Sequence, residues 1–77
     1  MARLNKFDVE AMMNGYDADP TAALAAALAK VLDRPGADWA ALVGAAPLDQ
    51  TRRAALLAGE QAALDALAQE LNELRTL

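Results

Sequence analysis

Residues 19–33, reading DPTAALAAALAKVLD, decide the fold of this chain. Asp19 offers a carboxylate to the amides left free at a helix start, and Pro20 takes the first helical position, where a missing amide costs nothing. Leu24, Leu28, Val31 and Leu32 follow at intervals of four, three and one, which makes a single apolar stripe on a helix and no pattern on a strand. This helix is expected to run to about Asp33. Arg34 precedes Pro35 and is pushed out of the helical region, and Gly36 completes the turn.

The rest of the chain follows the same lead. Alanine, the residue that loses least on entering a helix, fills 21 of the 77 positions, whereas there are only three valines, three threonines and no isoleucine to favour sheet. Upstream, Asn5 can cap a first helix over about Lys6 to Asn14, with Asp8 in its first turn and Gly15 ending it in a left-handed conformation. Downstream, Asp38 caps a short helix that begins at Trp39 and fades between Gly44 and Pro47, and Asp49 caps another from Gln50 to about Ala58. The last helix is expected from Glu60 to about Arg75, with its acid and its base at the ends the dipole favours. Gly59 either breaks the helix there or lies inside one long helix from Gln50 onward, since a mid-helix glycine costs only about 1 kcal/mol. The expected architecture is all-α: one domain spanning residues 1–77, a bundle of four to five short helices with no sheet.

The inventory removes most chemistry. Cysteine, histidine and serine are all absent, so disulfides, thiolate or imidazole metal sites, and the Ser-His and Cys-His nucleophilic systems have no residues to work with. An oxygen-ligated ion remains conceivable at Asn14, Asp17 and Asp19, but their spacing lacks the alternating ligands and distal glutamate of a calcium loop. Paired carboxylates could do acid–base work only in a cleft that shifts their pKa values, for which a chain of this size has little room. No cofactor is expected, and the chain is read as no enzyme.

The net charge of −4 argues against a nucleic-acid surface, and residues 54–77 carry Glu60, Asp65, Glu70 and Glu73 against Arg75 alone. A helix-turn-helix around Asp49 to Gly59 is the weaker alternative. No apolar run spans a bilayer and no signal-peptide core follows Arg3 and Lys6, so a cytoplasmic, non-membrane protein is the default expectation.

Candidate contact residues stand out by spacing or by rule-breaking. Leu64, Leu67, Leu71 and Leu74 fall at intervals of three, four and three, a short coiled-coil seam that can dock on the chain's own helices or on a partner, while the other surfaces of that helix carry Asp65, Gln69, Asn72 and Glu73. Arg52 and Arg53 would lie in the first turn of a helix, where positive charge is disfavoured, so they either meet a carboxylate on a partner or pair internally with Asp49 or Asp38. Trp39, Tyr16 and Phe7 are the only aromatics and are expected to anchor the core; an exposed Trp39 would instead be a binding hot spot. Met12 and Met13 are adjacent on a helix and cannot both point inward, which leaves one for an adaptable apolar surface.

Residues 48–67, LDQTRRAALLAGEQAALDAL, resemble the helix-Gly-acid-helix segment of LigA-type domains, the small helical subunits of some aromatic-ring-opening dioxygenases. Similar helical units serve as recognition domains in some modified-peptide precursors. Tyr16, Asp17, Asp19 and Pro20 would correspond to an upstream aromatic and Asp-Pro feature of such domains, whereas Glu60 stands where the family more often has aspartate. The resemblance implies a non-catalytic helical partner of an enzyme.

The expected function is therefore a protein–protein interaction module, an accessory or adaptor subunit docking on a larger protein through the last helix and its surroundings. The alternative is a small acidic inhibitor or antitoxin-like factor that sequesters its target. A core built largely of alanine is thin, so self-association or a partner is expected to add stability.

Overall fold

The computed structural model describes residues 4–74. Among them lie five helices and no sheet: α1 (Lys6–Tyr16), α2 (Pro20–Val31), α3 (Trp39–Ala45), α4 (Gln50–Leu57) and α5 (Gln61–Glu73). Side chains cap the first four. Asn5 accepts from the Asp8 amide while Asp8 accepts from the Asn5 amide, a reciprocal box that satisfies two orphan donors at once. Asp19, Asp38 and Asp49 accept from the amides of Ala22, Ala41 and Arg52 in turn. Glu60 precedes α5 without a side-chain cap.

Each helix is in contact with the next along the chain, α5 closes the ring onto α1, and α2 also meets α5 across the middle. α2 thus touches α1, α3 and α5. Its Leu24, Ala27, Leu28 and Val31 are buried together with Leu4, Val9, Met12, Leu42, Val43, Leu56, Leu64, Leu67, Ala68 and Leu71 in one cluster. No polar or charged side chain of the described residues is buried with them.

Two boundaries differ from the sequence expectation, and a third reaches the edge of the described residues. α1 continues through Gly15 to Tyr16. Gly15 keeps its helical conformation instead of turning left-handed, and a β-carbon there would meet that of Ala23 at 3.7 Å, an ordinary packing distance. α2 stops at Val31, two residues short of Asp33, because Asp33 itself takes the left-handed conformation at φ 55°. That wrap lets the Arg34 amide return to the Ala29 carbonyl at 2.8 Å. α5 ends at Glu73, and the expected extension to Arg75 lies outside the described residues.

Gly59 settles the question left open by sequence. Its φ of 73° ends α4, with the Glu60 amide reaching back to the Ala55 carbonyl at 3.0 Å, so α4 and α5 are separate helices.

Candidate functional site

The sequence-derived contact residues are dispersed by the fold. Leu64, Leu67 and Leu71 are buried within the chain's own core, and Leu74 packs partly buried at its edge. Trp39 is half-buried against the core, its indole N–H donating to the Leu56 carbonyl at 3.3 Å, so it ties α3 to α4. Arg52 forms a two-pronged ion pair with Glu70 on α5. Its partner is neither Asp49 nor Asp38, the acids expected from sequence, because α5 and not a local loop faces that side of α4.

Arg53 explains its own rule-breaking. Its guanidinium donates to the carbonyls of Val43, Ala46 and Leu48 at 3.2, 3.1 and 2.9 Å. A cation misplaced at the N-terminus of α4 is thus well placed at the C-terminus of α3, where unpaired carbonyls collect.

Phe7 corrects another expectation. It is 68% exposed, not a core anchor, because Val9, Met12 and Tyr16 define the inward face of α1 and Phe7 lies on the opposite side. Its offsets from those three residues carried the signal. Met12 is buried and Met13 is 52% exposed, which divides the pair between inside and outside.

Met13 borders one of the grooves in the surface of the described residues. Between α1 and α5 runs a groove of about 250 Å³, lined by Met13, Tyr16, Asp65, Ala68, Gln69 and Asn72. One end is fixed by a polar knot. The Tyr16 hydroxyl donates to Asp65 Oδ1 at 2.5 Å, and Gln61 Nε2 donates to the same carboxylate at 2.8 Å and to the Tyr16 oxygen at 3.3 Å. On the other flank of α1, Lys30 pairs with Asp8 at 2.8 Å and binds α1 to α2. Sequence reasoning named Tyr16 and the methionine pair and placed Asp65, Gln69 and Asn72 on the outer surfaces of the last helix, but not their meeting with α1, which depends on a contact across most of the chain.

Protonation follows from these contacts. The hydrogen bond from Tyr16, and then that from Gln61, holds the Asp65 carboxyl below the usual carboxylate value. Burial, and then the bond to Asp65, raises the Tyr16 phenol from 10.0 to about 12. Because the folded value exceeds the unfolded one, this contribution to stability is complete below pH 10.0 and is lost as pH rises through about 12. Tyr16 is the only tyrosine, so tyrosinate absorbance reads it directly. The folded protein is expected to titrate near 12, and Asp65→Asn to bring the midpoint part of the way back towards 10.0. A wild-type midpoint at 10.0 would mean that the phenol faces water.

Among the described residues no three His, Cys, Asp or Glu side chains are grouped to hold a metal ion, and no helix is long and apolar enough to cross a membrane. These elements define a five-helix all-α bundle with a groove between α1 and α5. The chain has no match among protein-family models, curated proteins or solved structures.

Proposed function

We propose that this chain is a protein–protein interaction module, without chemistry of its own, that serves as an accessory or adaptor subunit of a larger protein. The observation that carries this reading is apolar surface left outside a bundle whose leucines are already used inside. Phe7 and Met13 are 68% and 52% exposed on α1, and Met13 borders the groove, whereas Leu64, Leu67 and Leu71 are closed into the core. Docking therefore uses the outer surfaces of α1 and α5 in place of the leucine seam. Residues 48–67, whose sequence resembles LigA-type domains, cover α4, Gly59, Glu60 and the first half of α5, and that resemblance would imply a helical partner of an enzyme. The thin core supports self-association or stabilisation by the partner, and a chain without cysteine suits the cytoplasm.

The acidic exposed face of α5 favours the second reading, an inhibitor that covers a basic surface. Salt separates the two, because association steered by charge slows steeply with ionic strength and apolar docking does not.

The test is recovery of a partner from the native host, reassembly from the two purified proteins, and light scattering on the result. A defined complex, with α1 and α5 amides protected from exchange, is expected. A strictly monomeric chain that recovers no partner, or one that turns over a substrate unaided, would overturn the reading.

A further inference from the structure

We propose that the groove between α1 and α5 receives a basic amphipathic helix of a partner protein. This rests on the interaction-module reading and specifies its surface and the chemistry of its occupant. The groove takes apolar surface from Met13, the Tyr16 ring and the buried Ala68, with Gln69 and Asn72 offering amides alongside. A volume of about 250 Å³ seats anchoring side chains while the helix itself lies across the mouth. On the α5 side the lining runs from Asp65 to Asn72, roughly 10 Å or two helical turns, which matches anchors one turn apart on a helix face. Met13 is unbranched and can adapt to the anchor it meets.

Charge selects the occupant. Glu10 lies three residues before Met13 and Asp17 four after it, so both flank it on the same side of α1. Asp65 stands in the groove, and Glu73 follows Gln69 by one turn of α5. All four carboxylates are on exposed residues. The lysines of the described residues do not offset them at Met13: Lys6 is two turns away with its ammonium 5.4 Å from the Phe7 ring centre, and Lys30 is paired with Asp8 on the opposite flank. A second copy of this chain, itself at −4, brings more negative charge to the same place. A helix with an apolar stripe bordered by lysine or arginine satisfies both the floor and the rim.

The experiment titrates a synthetic leucine–lysine amphipathic helix of about four turns into the isotope-labelled full chain, followed by amide shifts and peptide anisotropy. Shifts are expected at Met13, Ala68, Gln69 and Asn72. A leucine–glutamate peptide of the same pattern, and a scrambled peptide of the same composition, are each expected to bind at least about tenfold more weakly, as is the basic peptide to Met13→Gln or to Glu10→Gln/Asp17→Asn. These positions are exposed, and unchanged thermal melts confirm that the variants fold. Shifts centred on Phe7, Leu57 or Pro35, scrambled peptide binding as well as the patterned one, or indifference to Met13→Gln would each overturn the assignment. A host partner that binds Met13→Gln as tightly as wild type removes the groove and leaves the interaction-module reading standing; failure to recover any partner strikes that reading first.

Discussion

Leu24→Ala is expected to abolish the cooperative fold. Leu24 is fully buried on α2, the helix that touches α1, α3 and α5, so its side chain is surrounded by the cluster and has no solvent edge into which the site could relax. Truncating a buried leucine costs roughly 2–5 kcal/mol through lost transfer energy and the cavity left behind. A domain of this size without disulfide or metal holds only about 3–5 kcal/mol in total. The two quantities are comparable, so the variant should show no sigmoidal unfolding transition by circular dichroism at ambient temperature. Leu57→Ala provides the contrast, because that leucine is 49% exposed and its loss should stay within about 0.5 kcal/mol. A Leu24→Ala melt within a few degrees of wild type would place the core somewhere other than around α2.

The same helix shows what the sequence could and could not disclose. Asp19, Pro20 and the spacing of Leu24, Leu28 and Val31 are local signals, and the start and inward face of α2 follow from them alone. The starts of α1, α3 and α4 were legible for the same reason, since each cap lies within three residues of the amide it satisfies. Ends were less legible. Gly15 stays helical although its type permits a left-handed turn, and Asp33 takes that turn with Arg34 returning to Ala29. Neither choice is announced by a cap or a spacing, and the second is decided by one residue's tolerance of an uncommon conformation.

The candidate site was less legible still, because it is made of meetings between distant segments. Tyr16 and Asp65 lie 49 positions apart, and neither residue's immediate neighbours predict the pairing. Leu64, Leu67 and Leu71 gave the strongest pattern in the last helix, yet periodicity reports only that a face is apolar and not which molecule covers it. Met13 is informative for the opposite reason. It falls off the inward face shared by Val9 and Met12, and the fold leaves it beside a groove whose other wall comes from α5.

Arg53→Ala is expected to cost roughly 2 kcal/mol, within the range for hydrogen bonds made by a charged donor. The guanidinium joins the carbonyls of Val43, Ala46 and Leu48, so its removal strips partners from the end of α3 and the connection to α4 together. Arg53→Lys should recover little of the loss, because an ammonium on a flexible stem cannot present the planar fork that meets these acceptors. Arg53→Met retains much of the apolar stem and therefore separates packing from hydrogen bonding. Arg52→Ala should cost under about 1 kcal/mol, since its ion pair with Glu70 is well exposed and screened. Chemical denaturation of these four variants reads the order directly. If Arg53→Ala and Arg52→Ala prove equally mild, the carbonyl contacts contribute no more than a surface ion pair, and Arg53 returns to being a cation available to a partner's carboxylate. If Arg53→Ala alone is severe, the residue that looked misplaced in α4 is a structural clasp for α3, and partner contacts are to be sought along α1 and α5.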